Sequence, residues 1–130
     1  MLPGRGARLN DGWDYMVWAS GWRCALYKWG RKRPIKVASL KCFAAGKNVY
    51  IYIPKAEIPC PAEKWKLCVA ILSYDGFNLN NWMVRPVKEK AGEWVFGGRK
   101  GNEPNILDMV CSSELQKRYL RSGDVGYIVP

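Results

Sequence analysis

The chain has 130 residues, 48% of them hydrophobic, so it is long enough to bury one core and too apolar to be a disordered basic tail. Its 21 Lys and Arg residues outnumber its 11 Asp and Glu residues, and the resulting net charge of +10 favours a polyanionic partner. The apolar runs are too short for a membrane span and the N-terminus lacks a signal-peptide core, so we expect an intracellular, cytoplasmic protein with no membrane partner.

The first predicted element is a β-hairpin. Residues 1–12 are rich in Gly, Arg and Asn and predict a flexible N-terminal arm. Trp13–Ala19 and Trp22–Trp29 then alternate with period two, which is typical of strands, and Ser20-Gly21 predicts a two-residue turn between them. Trp22 would share the core face of its strand, whereas Trp29 would be more exposed.

The middle of the chain predicts further strands. Ile35–Ala45 fits either a bulged strand, because its apolar positions change phase, or a short helix, and we favour the strand. Asn48–Ile53 alternates clearly, and Gly46-Lys47 can turn before it. Lys66–Tyr74 is apolar and predicts a strand buried on both faces. Two more strands are predicted at 82–88 and 93–96.

The C-terminal part predicts helices. Pro104 followed by apolar residues up to Cys111 indicates one, and Glu114–Arg121, with a serine cap and Gly123 at its end, indicates a second. A last strand is predicted at 125–129. The sequence therefore predicts a single α+β domain over 1–130, with a mostly antiparallel sheet of about five to seven strands and one or two short C-terminal helices.

The main candidate for function is a segment without acidic residues. Tyr15–Ala56 contains nine basic and eight aromatic residues. Lys and Arg neutralise phosphates and aromatic rings stack on bases, so we expect non-catalytic nucleic-acid binding, with single strands slightly preferred over duplex. The residues predicted to make this contact are Arg23, Tyr27, Trp29, Arg31, Lys32, Arg33 and Lys36.

Two other features qualify that prediction. Large aromatic residues usually pack in cores, so we expect most of the seven tryptophans to be buried. The glycine-rich loop at 97–101 could supply an auxiliary phosphate contact through Arg99 and Lys100, but we favour an ordinary hairpin or strand–helix turn as its explanation.

The cysteine pattern does not decide between free thiols, disulfides and a zinc site. The chain has five cysteines without a C-x-x-C pair and no histidine, so we predict no metal and no cofactor. Buried thiols are the default expectation, with disulfides and a zinc site as alternatives. The residues concerned are Cys24, Cys42, Cys60, Cys68 and Cys111.

Two alternative functions remain. A structural or protein-interaction module, for example a small viral or archaeal accessory protein, would use the aromatic residues as an interface, and a homodimer is compatible with this. A metal-dependent nuclease could hold Mg²⁺ with Asp75 and either Glu63 or Glu89. The lack of histidine makes catalysis the minority hypothesis.

Overall fold

The computed structural model describes residues 8–9, 12–74, 84–100 and 103–127 and shows an α+β protein. Short, mostly antiparallel strands and a helix near the C-terminus confirm the predicted fold class, although the strands pair as separate small sheets. In chain order the strands are β1 (Arg8–Leu9), β2 (Tyr15–Ala19), β3 (Cys24–Trp29), β4 (Pro34–Ser39), β5 (Lys41–Ala45), β6 (Asn48–Tyr52), β7 (Ala70–Ile71), β8 (Asp108–Met109) and β9 (Asp124–Val125). Two compact units make up the chain: residues 13–65, and residues 1–12 with 66–130.

The unit of residues 13–65 is built on a three-stranded antiparallel sheet with β3 in the middle. Because β3 has a neighbour on each side, it supplies the buried core residues Ala25, Leu26 and Tyr27. The predicted first hairpin is confirmed, but its connection is longer than expected. The Ser20 N–H donates to the Arg23 carbonyl at 2.7 Å, which places Trp22 in the turn. Trp22 is 72% exposed, so its predicted place in the core is wrong.

The strand alternative for residues 35–45 is confirmed, with two interruptions. Leu26 pairs with Ala38 while Tyr27 pairs with Lys36, so the ladder skips Val37 and β4 is bulged there. Leu40 interrupts the strand, and its N–H donates to the Cys24 carbonyl at 2.9 Å. β5 continues from that point into an antiparallel hairpin with β6. Two 3₁₀ turns, Lys55–Glu57 and Ala62–Lys64, follow the hairpin.

The other unit contains the helix, α1, which spans Ser113–Ser122. The Ser112 hydroxyl caps its N-terminus by accepting from the Leu115 N–H, and Gly123 ends it at φ 72°, as the sequence predicted. Leu120 on the helix and Val125 on β9 are buried. β9 pairs in parallel with β1, so Arg8–Leu9, inside the predicted arm, forms a strand. No helix among the described residues is long and apolar enough to span a membrane.

Four predicted elements of this unit are absent or shorter than expected. The helix expected from Pro104 to Cys111 is absent, and Asp108–Met109 within it forms the strand β8. The buried strand expected at 66–74 is reduced to Ala70–Ile71, in which Ile71 is 53% exposed. Residues 84–88 and 93–96 form isolated bridges instead of full strands. The predicted positions 82–83 and 128–129 lie outside the described residues.

Candidate functional site

The most distinctive surface of the 13–65 unit is a row of three aromatic rings on the β5–β6 hairpin. Phe43 and Tyr50 stack with ring centroids 5.1 Å apart and an interplanar angle of 19°. Phe43 and Tyr52 stack at 6.0 Å and 25°. The three residues are 48%, 43% and 58% exposed, respectively. We call this row, Phe43, Tyr50 and Tyr52, the hairpin platform.

The register of the hairpin explains why the rings meet. Phe43 lies directly opposite Tyr50, and side chains at alternate positions of a strand point to the same face, so Tyr52 joins them. The two-residue loop Gly46-Lys47 fixes this register. Gly46 has φ 59° and no other loop residue has positive φ, which is the pattern of a type II′ turn with glycine at its first central position.

Polar groups border the hairpin platform. Lys41 lies opposite Tyr52, and its alternation with Phe43 puts its ammonium on the same face. The Asn48 side-chain amide donates to the Tyr50 hydroxyl at 3.3 Å. Two phenol hydroxyls, an amide and an ammonium therefore surround a partly exposed stack of aromatic rings. Such an arrangement can hold a flat ligand by its face and hydrogen-bond its polar rim.

The opposite face of the same hairpin carries no aromatic ring. It carries Cys42, Ala44, Val49 and Ile51, which are exposed but include no aromatic ring. Val49 is 65% exposed, more than any ring of the hairpin platform. Exposure alone therefore does not separate the two faces, whereas the stacked rings do.

The residues predicted from the sequence lie mainly on the neighbouring sheet. Tyr27 is buried at 5% exposure, and the Arg23 guanidinium donates to its hydroxyl at 3.3 Å. Trp29 is 47% exposed, as expected, and packs edge-on against Trp13 with centroids 5.2 Å apart. Arg23 and Tyr27 are thus engaged in a hydrogen bond with each other, whereas part of the Trp29 ring is exposed to solvent.

The predicted basic residues are exposed in the turn between β3 and β4. They are Arg31, Lys32 and Arg33, together with Lys36 on β4. The turn lies at the end of the three-stranded sheet where the Trp29 N–H donates to the Asp14 carbonyl at 3.3 Å, so an acidic residue, Asp14, lies at the same end. Their assignment to ligand contact stays a prediction.

The glycine-rich loop serves the structure of the other unit. The Arg99 guanidinium donates to the Ile106 carbonyl at 2.7 Å and to the Leu107 carbonyl at 2.9 Å. It also lies 3.9 Å from the Glu103 carboxylate. These contacts occupy the side chain, whereas Lys100 is exposed. The Arg99 side chain is only 20% exposed, so the predicted phosphate contact depends mainly on Lys100 and stays a prediction.

Sequence reasoning did not select the hairpin platform as a site. The alternation in 48–53 predicts from the sequence alone that Tyr50 and Tyr52 lie on one face of the strand. The exposure of these two residues could not be predicted, because large aromatic residues usually pack in cores. None of the described tryptophans is fully buried, so the expectation that most would be is wrong for the part of the chain that the structure describes.

Together these observations define a small β-rich module that exposes a stack of three aromatic rings on one hairpin. Among the described residues no group of three or more His, Cys, Asp or Glu side chains could hold a metal ion. The family described as the C-terminal binding module, SLH-like, of glucodextranase matches residues 1–127, and the chain belongs to this family. Neither a curated protein nor a solved structure matches the chain.

The family corrects the predicted function. The prediction of a nucleic-acid-binding protein with single-stranded or duplex partners is wrong, because the family is described as an SLH-like binding module of glucodextranase. The error has a physical origin: basic residues report the sign of a partner's charge, and aromatic rings stack on any flat ligand face, so neither identifies the ligand.

Proposed function

We propose that this chain is a non-catalytic carbohydrate-binding module that holds cell-surface polysaccharide on the hairpin platform. The observation that carries the proposal is the row of three exposed, nearly parallel rings, Phe43, Tyr50 and Tyr52, on one face of a two-stranded hairpin. Membership of a family of SLH-like binding modules supports the same class of ligand.

The chemistry of a sugar ring suits such a surface. A glucopyranose ring in its chair form directs its axial C–H bonds to its faces and its equatorial hydroxyls to its rim. Aromatic faces carry the negative part of the ring quadrupole and attract the weakly positive C–H groups. A sugar chain can therefore lie against the parts of the rings that the stack leaves exposed, while Lys41 and Asn48 are placed to bond the hydroxyls at the rim.

The exposed area sets the scale of the interaction. About half of each platform residue is exposed, and an aromatic side chain buries about 200 Å² in full. A sugar that covers half of this exposed part removes about 50 Å² per ring from water, worth about 1.2 kcal/mol at ~25 cal/mol/Å². Loss of one ring is then expected to weaken binding about eightfold.

Affinity electrophoresis tests the proposal directly. The protein is run in native gels containing dextran, polygalacturonate or soluble cell-wall polysaccharide, and its retardation gives a dissociation constant for each polymer. We expect retardation by at least one polymer. Phe43→Ala and Tyr52→Ala are each expected to weaken it about eightfold, for the area given above.

The matched control is Val49→Ala. Val49 lies on the same hairpin, is more exposed than the rings and sits on the opposite face, so its truncation should leave the affinity unchanged. Thermal unfolding of every variant checks that the hairpin still forms. Lack of retardation by all three polymers would overturn the proposal, and an equal effect of Val49→Ala would remove the platform from it.

Salt separates the two kinds of polysaccharide. A neutral glucan held by ring faces is expected to bind equally well at low and high salt. A charged polymer that also uses the acid-free segment 15–56 is expected to bind less well as salt screens the lysines and arginines.

A further inference from the structure

Two cysteines of the 13–65 unit lie side by side although 17 residues separate them in the chain. Cys24 begins β3, and Cys42 lies on β5. The hydrogen bond from the Leu40 N–H to the Cys24 carbonyl, 2.9 Å long, brings the start of β3 to a point two residues before Cys42. The Cys42 thiol is near enough to the Cys24 thiol to change its pKa. Burial and the neighbouring Cys42 raise the pKa of the Cys24 thiol to about 11, so this thiol is protonated at neutral pH when reduced.

A second pair occurs in the unit that contains α1. Ala70 pairs with Met109, and the ladder continues through the Val110 N–H, which donates to the Val69 carbonyl at 3.1 Å. The next positions outward are Cys68 and Cys111, where the chain begins to turn because the Cys111 N–H donates to the Met109 carbonyl at 3.0 Å. Opposite positions in an antiparallel ladder place Cα atoms about 4.5–5.5 Å apart, inside the range that a disulfide spans. Burial and the neighbouring Cys111 also raise the pKa of Cys68.

The fifth cysteine stands apart from both pairs. Cys60 lies between the two 3₁₀ turns, is exposed, and directs its thiol toward the Pro61 carbonyl at 3.7 Å. An odd number of cysteines is therefore explained by two pairs and a single thiol.

We propose that this chain forms two disulfide bonds, Cys24–Cys42 and Cys68–Cys111, one inside each compact unit, and keeps Cys60 reduced. The oxidant is a small disulfide such as oxidised glutathione. One cysteine thiolate of a pair attacks the oxidant's S–S bond, forms a mixed disulfide and releases one glutathione thiolate. The second cysteine attacks the mixed disulfide and releases the other. Each bond thus removes two protons and two electrons from the protein, and both electrons reduce the oxidant.

Exposure sets the order of events in the first pair. Cys42 is exposed and Cys24 is half-buried, so Cys42 meets the oxidant first and Cys24 closes the bond. The product ties the β5–β6 hairpin to the three-stranded sheet. This inference concerns the thiols alone and holds whatever ligand the hairpin platform binds.

Peptide mapping tests the pairing. The reduced protein is incubated with oxidised glutathione, unreacted thiols are alkylated at low pH, and proteolytic fragments are analysed by mass spectrometry without reduction. We expect cross-linked fragments joining 24 to 42 and 68 to 111, and alkylation only at Cys60. Fragments that join any other pair, or alkylation of all five cysteines, would overturn the proposal.

Two variants sharpen the result. Cys60→Ser removes the thiol that could reshuffle the bonds and is expected to give the same two cross-links. Cys42→Ser is expected to leave Cys24 alkylated and the Cys68–Cys111 bond intact, because that bond lies in the other unit. Appearance of a Cys24–Cys60 bond in Cys42→Ser at the yield of the original bond would show that proximity does not select the pair. Since the readout is mass, it is independent of polysaccharide binding.

Discussion

Loss of the Cys24–Cys42 bond is expected to have a large and calculable effect on stability. A bond between these positions closes a loop of about 19 residues, and the loss of chain entropy in the unfolded state then corresponds to about 3 kcal/mol at 25 °C. Whole domains are stable by only about 5–15 kcal/mol, so the bond accounts for a sizeable part of the stability of its unit.

Guanidinium denaturation measures this effect. Oxidised Cys60→Ser serves as the reference, and the oxidised double variant Cys42→Ser with Cys60→Ser lacks only the bond in question. With an m-value of about 2 kcal/mol/M, a loss of about 3 kcal/mol moves the unfolding midpoint down by about 1.5 M. Tryptophan fluorescence reports on this unit, because Trp18 and Trp29 lie on β2 and β3.

The reduced forms of the same two proteins provide the control. Without the bond, a cysteine-to-serine change at exposed Cys42 should alter stability little, so their midpoints are expected to agree. Equal midpoints for the two oxidised proteins, with the bond confirmed by mass, would refute the loop-closure argument. The longer loop of about 44 residues closed by Cys68–Cys111 is expected to give about 4 kcal/mol by the same reasoning.

Two further predictions concern single groups. The raised pKa of the reduced Cys24 thiol, from 9.0 to about 11, means that its protonated form contributes stability that is fully present below pH 9 and is lost as the pH rises toward 11. Between these values the reduced wild-type protein should therefore lose unfolding free energy more steeply than reduced Cys24→Ser in denaturant titrations, and parallel curves would contradict the shift. In the other unit, Arg99→Ala leaves the Ile106 and Leu107 carbonyls without their charged donors and is expected to cost about 3 kcal/mol in the same assay. Exposed Lys100→Ala is its control, and equal losses for the two variants would show that the Arg99 bonds are not what matters.

Local signals were sufficient where an element is fixed by neighbouring residues. The helix α1 was predicted from its serine cap and from Gly123, and both make the expected backbone contacts. The first hairpin was predicted from alternation. Its turn was not, because the Ser20-Gly21 pair does not close the loop and the bond from Ser20 to Arg23 does. That difference of two residues moved Trp22 from a strand into the solvent-exposed turn.

Long-range pairing decided the elements that the sequence analysis missed. The apolar spacing after Pro104 fits a helix, yet the Leu107 N–H donates to the Ile71 carbonyl and the Val110 N–H donates to the Val69 carbonyl. Partners more than 30 residues away in sequence thus satisfy the backbone of this segment, and local periodicity carries no information about them. The same applies to the site, since the exposure of the hairpin platform depends on what the rest of the chain leaves uncovered.

Strand β5 places the proposed covalent anchor and the proposed ligand face on adjacent residues. Side chains alternate across a strand, so Cys42 lies on the face opposite Phe43. A bond from Cys42 to Cys24 therefore attaches the hairpin to β3 through the face opposite the rings and leaves the rings uncovered. An isolated two-stranded hairpin is marginally stable in water, so this exposed hairpin gains more from an anchor than the buried β3 does. The rings are then ordered when the protein folds and not when the ligand binds, which is how a bond that touches no ligand can still raise affinity.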